Sequence, residues 1–346
     1  MNNSIIHTRS PLRIGLAGGG TDIKSYYKEH SGAVINFAIR KYHFIILKTS
    51  NNSNFKYLNQ NSNKLYEFNK NSLVYNKKDE YCLISATIKY FIDTFNLEII
   101  PLEFNIFSEA PRGSGLGASS SLVVGLISSL AKYYGISLNN IEISNIAYII
   151  ERVHLDLDGG TQDQYVTTYG GLNFIEFQKN ENIIVSPLIL DSETKSHFES
   201  HFVSFFTGVS RESELIIRDQ RNSISKLQKI KLMEGLTNNA NEMKNAILLK
   251  KYSDIPFLLN EGFRIKKKVS NKVSNSSINK ILSDIKDIGV LGAKISGAGG
   301  GGYVSCYIDL NKRVELYSYL RKNNFSFFNC LIHEENIKSY VLHKWK

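Results

Sequence analysis

A glycine-rich stretch that runs directly into an amphipathic helix is the part of this sequence best suited to chemistry. It spans Glu109 to Leu126 and reads EAPRGSGLGASSSLVVGL, with three glycines followed by three adjacent serines. Gly113, Gly115 and Gly117 allow positive φ angles and let loop amides approach an anion closely, and the first N–H groups of a helix lack intrahelical partners. The stretch therefore predicts a phosphate cradle, whose serine hydroxyls could also bind Mg²⁺. A serine-capped turn without a ligand is the alternative interpretation.

Two common phosphate-binding motifs do not explain this loop. The Walker pattern requires a lysine between the glycines and the serines, and none is present. The dinucleotide pattern GxGxxG is also absent from this loop. It occurs elsewhere, at Gly297 to Gly302 (GAGGGG), but the residues that follow there, Tyr303 to Ile308 (YVSCYI), are typical of a strand, where that motif requires a helix. We therefore interpret the match as accidental.

A second glycine turn, at Gly18 to Gly20, is followed by Thr21 and Asp22. A hydroxyl and a carboxylate beside exposed amides are well suited to bind sugar hydroxyls. Asp22 could also serve as the N-cap of a helix around Ile23 to Lys28, and both roles are compatible.

Carboxylates are concentrated after a predicted helix at Leu138 to Val153. Glu151 lies near the end of that helix, and Asp156, Asp158 and Asp163 surround the glycine turn of LDLDGGTQDQY. Acidic turns are common, so only one or two of these carboxylates need a functional role.

The remaining pattern favours an α+β protein whose two parts meet near residues 180 to 200. Ala33 to Ile39 and Tyr42 to Thr49 are expected to pair as antiparallel strands across a short basic turn. Ser50 to Lys78 is rich in Asn, Lys and Ser and is predicted to form a long hairpin or an irregular surface segment. Ser192 to His201 is the best linker candidate.

Composition is that of an ordinary globular enzyme. The chain has 346 residues, of which 42% are hydrophobic and 21% are charged. No membrane span or signal peptide is evident, so the cytoplasm is the expected location, and the three cysteines show no metal or disulfide spacing. The net charge of +10 is spread along the chain, and no nucleic-acid-binding motif is present. An anionic small substrate would explain this charge, and so would a lysine- and asparagine-rich proteome, without any functional role.

Three phrases in order, RSPLRIGLAGGGTD, EAPRGSGLGASSS and KISGAGGGGYV, resemble the motifs of the galactokinase, homoserine kinase, mevalonate kinase and phosphomevalonate kinase family. The resemblance implies an ATP- and Mg²⁺-dependent kinase with two lobes and an active site between them. We expect the lobes to be residues 1–185, with the ATP-phosphate loop, and 186–346, with the third glycine-rich motif.

The resemblance also implies roles for individual residues. Asp163, in GTQDQ, is the expected general base, and Arg13, where the family often has lysine, either contacts the transferred phosphoryl group or orients Asp163. Ser119 and Glu151 are the expected Mg²⁺ ligands. The expected nucleotide contacts are Pro111, Gly113, Ser114, Gly115, Leu116, Gly117, Ala118, Ser119 and Ser120, with Ala118 in place of the usual serine. The expected substrate contacts are Gly19, Gly20, Thr21, Asp22, Arg211, Gly299 and Gly300.

Within the family, the AGGGTD phrase and FTGVSRES at residues 206–213 look most like bacterial D-glycero-D-manno-heptose 7-phosphate kinases. This resemblance implies phosphorylation of the anomeric C1 hydroxyl to the 1,7-bisphosphate, for nucleotide-activated heptose and surface polysaccharide. An anomeric kinase for another sugar such as fucose, or a non-catalytic sugar- and nucleotide-binding regulator, are the alternatives.

A phosphorylated substrate would need a cationic clamp, for which Arg112, Arg211 and the run Lys266 to Lys268 are candidates. Successive helical positions point in different directions, so at least two of the three lysines are expected to face solvent. We expect neither a nucleic-acid nor a membrane partner, and the oligomeric state is open.

Overall fold

The computed structural model describes residues 4–111, 113–208 and 227–342. The described elements, in chain order, are β1 (Ile5–Ala17), α1 (Lys24–His30), β2 (Gly32–Thr49), β3 (Phe55–Asn59), β4 (Lys64–Phe68), α2 (Cys82–Phe95), β5 (Leu102–Ser108), α3 (Ala118–Tyr134), α4 (Asn140–Tyr148), α5 (Gln162–Tyr169), β6 (Leu172–Phe177), β7 (Ile183–Leu188), α6 (Ser192–His201), β8 (Phe202–Phe206), α7 (Leu227–Leu248), α8 (Asp254–Val269), α9 (Ser276–Ile288), β9 (Val290–Ile295), β10 (Tyr303–Ile308), α10 (Arg313–Lys322), β11 (Phe327–Asn329) and β12 (Lys338–Leu342).

The described strands form two β-sheets. In the described ranges the larger sheet has eight strands in the order β12-β1-β2-β5-β3-β4, with β6 pairing on β2 and β7 on β6. The smaller sheet has the order β11-β8-β10-β9. This mixture of sheets and helices confirms the α+β prediction, whereas the division at residue 185 stays a prediction.

One long strand, β2, stands where two strands and a turn were expected. Ala33 to Ile39 and Tyr42 to Thr49 do not pair with each other, and both halves pair with β1 instead. The first half also pairs with β6 and the second with β5, so each finds antiparallel partners elsewhere. The basic residues between the halves include no Gly, Asn or Pro to favour a tight reversal, and the strand continues through them.

The linker candidate, Ser192 to His201, forms α6, and its role as a boundary between two parts of the chain stays a prediction. Asp191 caps the helix by accepting a hydrogen bond from the Thr194 N–H at 2.8 Å. Phe198 is fully buried. Its ring stacks on Phe202 and makes a T-shaped contact with Phe37 in the larger sheet. One large apolar side chain and a cap thus offset the polar composition that suggested a linker.

The Asn-rich segment between residues 50 and 78 contains a hairpin, β3 and β4, as one of the two expected alternatives. Phe55 and Phe68 face each other across it with ring centroids 5.5 Å apart, and both are buried. Strand β3 also pairs in parallel with β5, which joins the hairpin to the larger sheet.

Helix α3 lies directly on β1 and β2 because Gly125 permits a close approach. A Cβ at this position would lie 2.7 Å from Ile45 Cδ1 and 2.9 Å from Ser10 Cβ. The Ser10 hydroxyl donates to the Ser121 carbonyl at 2.6 Å, which fixes the start of the helix against the sheet. The first turn of α3 is therefore held rigidly.

Within the residues that the structure describes, no helix is both long enough and apolar enough to cross a membrane.

Replacing Phe198 by Ala tests whether α6 is part of the core. We expect the free energy of unfolding, measured by urea denaturation, to fall by about 3–5 kcal/mol, because the ring would leave a cavity between the helix and the sheet. Phe257→Ala is the matched control: its ring is 66% exposed, so a change below about 0.5 kcal/mol is expected. Equal effects of the two substitutions would contradict a packed α6.

Candidate active site

The predicted phosphate loop, Gly113 to Ser121, has the positive φ angles that its glycines predicted. Gly113, Gly115 and Gly117 have φ angles of 73°, 77° and 73°. Gly117 lies immediately before α3, which begins at Ala118, so the loop passes directly into a helix N-terminus. The geometry suits an anion, because the free N–H groups of the first turn and the helix dipole lie at this point.

The third glycine-rich segment packs against the back of this loop. A Cβ at Gly115 would lie 2.4 Å from the Ser296 carbonyl oxygen, and one at Gly297 would lie 2.7 Å from Gly115 Cα. The Tyr303 N–H donates to the Ser114 carbonyl at 2.9 Å. The phosphate loop is therefore supported by direct backbone contact with the segment between β9 and β10 of the smaller sheet.

Gly299 and Gly300, expected to contact substrate, lie against another part of the chain. The Gly300 N–H donates to the Val273 carbonyl at 2.7 Å, and a Cβ at Gly299 would lie 2.7 Å from the same oxygen. Gly297 and Ala298, which were not singled out, line the cleft instead. A substrate role for Gly299 and Gly300 stays a prediction.

A buried carboxylate meets the serines at the start of α3. Glu151 has no exposed surface. Its two oxygens accept hydrogen bonds of 2.7 Å from the Ser119 and Ser120 hydroxyls, and Gln164 Nε2 donates to Oε2 at 2.6 Å. The nearest described cation is Arg152, whose Nη1 lies 3.8 Å from Oε1. The expected Mg²⁺ ligands, Ser119 and Glu151, are therefore adjacent.

The donor set fits Mg²⁺. This ion prefers oxygen ligands and is usually bound by one or two carboxylates together with phosphate oxygens of a substrate. Glu151 supplies a carboxylate whose ion-pair partner among the described residues, Arg152, lies 3.8 Å away. Ser119 is exposed towards the cleft and offers a hydroxyl oxygen beside the phosphate loop.

Arg13 and Asp163 form a bidentate pair at the base of the cleft. Arg13 Nε donates to Asp163 Oδ1 at 2.7 Å and Nη2 donates to Oδ2 at 2.9 Å. Nη1 donates to the Gly115 carbonyl at 2.5 Å, and the Arg13 N–H donates to the Leu116 carbonyl at 3.0 Å. Arg13 is 4% exposed, whereas the Asp163 side chain is 20% exposed. The pair therefore presents the carboxylate, not the guanidinium, to the cleft.

The AGGGTD turn is held together by its own polar side chains. The Thr21 hydroxyl lies 2.9 Å from the carbonyl oxygens of Gly18 and Ala33 and accepts from the Ala33 N–H. Thr21 is fully buried, and its hydroxyl is satisfied by Gly18 in the turn and by Ala33 in β2.

Asp22 does not cap the helix that follows it. Its Oδ1 accepts from the Gly20 N–H at 2.9 Å, and its Oδ2 accepts from the N–H groups of Thr161 and Gln162 at 3.0 and 3.2 Å. The helix it caps is α5, 140 residues away, which carries Asp163. Gly20 and Asp22 line the cleft, and their contact with substrate stays a prediction.

Two buried lysines lie near the Arg13–Asp163 pair. Lys266 lines the cleft, and its Nζ donates to the Gly297 carbonyl at 2.6 Å. Lys294 Nζ donates to the Leu16 carbonyl at 3.1 Å. Burial lowers the pKa of Lys266 to about 8 and that of Lys294 to about 7. Lys266 was expected only as one of three adjacent lysines, and Lys294, at the start of KISGAGGGG, was not expected near the site.

The cleft has a volume of about 1270 Å³ and extends from the Arg13–Asp163 pair to the hairpin of β3 and β4. Tyr57, Asn61 and Tyr66 line the hairpin side. This volume exceeds that of a usual single-ligand pocket and leaves room for a nucleotide and a second small molecule. Arg112 and Arg211, two candidates for a phosphate clamp, lie outside the described residues.

Two family models match the chain. Residues 82–171 match the GHMP kinases N terminal domain, and residues 238–325 match the GHMP kinases C terminal domain. The first matched region contains the phosphate loop, Glu151 and Asp163, and the second contains Lys266 and the third glycine-rich segment.

The chain is also similar over nearly its full length to proteins of known name. It is 32% identical to the D-glycero-alpha-D-manno-heptose 7-phosphate kinase of Campylobacter jejuni over 335 residues, which cover 97% of this chain and 98% of that protein. A putative sugar kinase of Campylobacter jejuni, known from a crystal structure, is 31% identical with a TM-score of 0.80, over 99% of this chain and all of that one.

A third relative shares the fold. The crystal structure of a D-glycero-D-manno-heptose 1-phosphate kinase from Bacteroides thetaiotaomicron superimposes with a TM-score of 0.81 at 24% identity, over 98% of this chain and all of that one. Since both family domains match in order and the full-length similarity reaches 32%, the chain belongs to the GHMP kinase family of ATP-dependent phosphotransferases.

Proposed function

We propose that this kinase transfers the γ-phosphoryl group of ATP to the anomeric C1 hydroxyl of D-glycero-D-manno-heptose 7-phosphate and releases the 1,7-bisphosphate. The observation that carries the proposal is the Asp163 carboxylate, held by Arg13 beside the phosphate loop and exposed to the cleft. The similarity to a heptose 7-phosphate kinase along 97% of the chain supports the choice of sugar.

The phosphate loop binds the phosphates of ATP in this proposal. Phosphoryl transfer depends on holding the β- and γ-phosphates in line with the acceptor and offsetting their charge. The loop amides between Gly113 and Ala118 and the N-terminus of α3 supply donors for this purpose. The contact between Gly115 and Gly297 keeps the loop in position while substrates bind and leave.

Ser119 and Glu151 hold Mg²⁺ in this proposal. When bound, the ion offsets the negative charge of the phosphates. Glu151 is oriented by Ser120 and Gln164, which donate to Oε2, so that Oε1 remains on the side of Ser119. These partners fix the carboxylate in the way that surrounding hydrogen bonds usually fix metal ligands.

Asp163 removes the proton from the acceptor hydroxyl. Each carboxylate oxygen can accept more than the one hydrogen bond that Arg13 donates to it, so a lone pair remains for a hydroxyl in the cleft. The hydroxyl oxygen forms the new bond to phosphorus, the bond between phosphorus and the β,γ-bridging oxygen breaks, and the proton passes to Asp163. The bidentate geometry favours an orienting role for Arg13 over direct contact with the phosphoryl group.

The position of the substrate's own phosphate separates two versions of this function. The relative at 32% identity is a 7-phosphate kinase by name, whereas the relative at 24% identity is described as a 1-phosphate kinase. We favour the 7-phosphate as substrate because the higher identity extends over the whole chain. A fucose-type anomeric kinase is the second candidate, and the intact Asp163 and Glu151 geometry argues against a non-catalytic regulator.

A substrate panel tests the proposed function. ATP consumption with Mg²⁺ would be measured against D-glycero-D-manno-heptose 7-phosphate, its 1-phosphate isomer, sedoheptulose 7-phosphate, L-fucose and D-galactose. We expect kcat/KM for the 7-phosphate to exceed that of the free sugars by at least about 100-fold, because a site built around a polar group rejects ligands that lack it. Preferred turnover of the 1-phosphate isomer or of L-fucose would contradict the proposed acceptor.

Glu151→Gln tests the metal site. We expect the Mg²⁺ concentration for half-maximal turnover to rise at least tenfold, by analogy with the roughly 10–100-fold cost of losing a metal-site partner. Glu234→Gln, at an exposed position of α7, is the matched control and should leave the Mg²⁺ titration unchanged. An unaltered Mg²⁺ requirement in Glu151→Gln would remove Glu151 from the metal site.

A further inference from the structure

Lys266 differs from the two lysines that follow it. All three lie in the last turn of α8, but Lys267 and Lys268 are exposed whereas Lys266 is only 8% exposed and lines the cleft. The helical spacing predicted that at least two would face solvent, and the structure shows which one does not. A long cationic side chain is buried in this way only rarely without a functional or structural partner.

The Lys266 ammonium lies where the three glycine-rich segments meet. Its Nζ donates to the Gly297 carbonyl at 2.6 Å, and Gly297 itself packs against Gly115 of the phosphate loop. A Cβ built on Gly19, in the first glycine turn, would lie 3.6 Å from Nζ. Lys266 thus extends from α8 into the cleft that Arg13 and Asp163 also line.

The charges around Lys266 leave room for an anion. Among the described residues no carboxylate lies within ion-pair distance of its Nζ, and only one of its three N–H donors has a protein acceptor. Burial lowers the pKa of Lys266 to about 8, and Arg13 contributes in the same direction, while Asp22 and Asp163 are close enough to favour the charged form. Lys294, a second buried lysine, is held nearby. A buried ammonium in such surroundings is stabilised when a bound anion accepts its remaining hydrogen bonds.

We propose that Lys266 contacts the transferred phosphoryl group and donates a hydrogen bond to one of its non-bridging oxygens. The inference deepens the proposed function and rests on its phosphoryl transfer, not on the identity of the sugar. Lys266 gives up no proton in this role, because the proton of the acceptor hydroxyl passes to Asp163. Its contribution is to offset negative charge on the side of the phosphoryl group that faces the third glycine-rich segment.

A contact with the substrate's own phosphate is the competing interpretation of the same lysine. The phosphate at C7 is separated from the attacked C1 hydroxyl by the length of the sugar. Lys266, in contrast, shares its immediate surroundings with Asp163, the residue that must lie next to that hydroxyl. The observed neighbours therefore favour the transferred group over the distal phosphate.

Nucleotide binding to Lys266→Met separates the two interpretations without any sugar. We would measure, by calorimetry with Mg²⁺, the affinities for ADP and for the non-hydrolysable ATP analogue with an imido bridge. We expect the affinity for the analogue to fall at least about tenfold, and that for ADP to change less than about threefold, because loss of a buried charge partner is costly only where its anion is present. Lys268→Met, two positions further on the same helix, should change neither affinity.

Two results would overturn the inference. An unchanged ratio of the two affinities would show that Lys266 does not sense the γ-phosphoryl group, and a defect confined to the KM of a phosphorylated sugar would assign it to the distal phosphate. Thermal denaturation checks folding: removing a buried charge should leave the melting temperature unchanged or raise it, and Lys266→Gln provides a second, polar replacement. Failure of the heptose proposal would appear in the substrate panel and leave this binding test intact.

Discussion

The bidentate pair between Arg13 and Asp163 is the interaction on which the arrangement of the site depends. Arg13 belongs to the first strand and Asp163 to the first turn of α5, 150 residues later, yet the two side chains meet at 2.7 and 2.9 Å. The third nitrogen of the same guanidinium holds the Gly115 carbonyl of the phosphate loop. One side chain therefore fixes the distance between Asp163, the proposed base, and the loop proposed to bind the phosphoryl donor.

The turn after β1 fixes the same helix a second time. Asp22 accepts the N–H groups of Thr161 and Gln162 at the start of α5, so the segment from Arg13 to Asp22 holds α5 both by its N-terminus and by Asp163. This use of Asp22 is structural, and it explains why the carboxylate is almost fully buried. A site with two long-range anchors of this kind is preorganised, so that little rearrangement is needed before the chemical step.

The sequence was most informative where backbone conformation follows from residue type. Positive φ angles at Gly113, Gly115 and Gly117 and the strand after GAGGGG were predicted correctly, because glycine spacing and β-branched or aromatic runs act locally. It was least informative where one tertiary contact outweighs local composition. Phe198 is buried although it lies in a polar segment, and that segment forms α6. Strand β2 continues through Arg40 and Lys41 because the residues before and after them pair with β1, β5 and β6, and a register shift with β1 lies opposite these two residues. Which of the three adjacent lysines is buried likewise depends on how α8 is oriented against the rest of the protein. The local sequence does not specify that orientation, so it could not single out Lys266.

The central claim, that a carboxylate held by Arg13 acts as the base of phosphoryl transfer, is tested most directly by comparing turnover and ATP binding in Asp163→Asn. This change keeps the shape of the side chain and removes its basicity. The account predicts that kcat falls by roughly 10²–10⁴-fold, while the dissociation constant for ATP changes by less than about threefold. Near-normal turnover in the folded variant would contradict the account, as would a loss of activity explained entirely by weaker ATP binding.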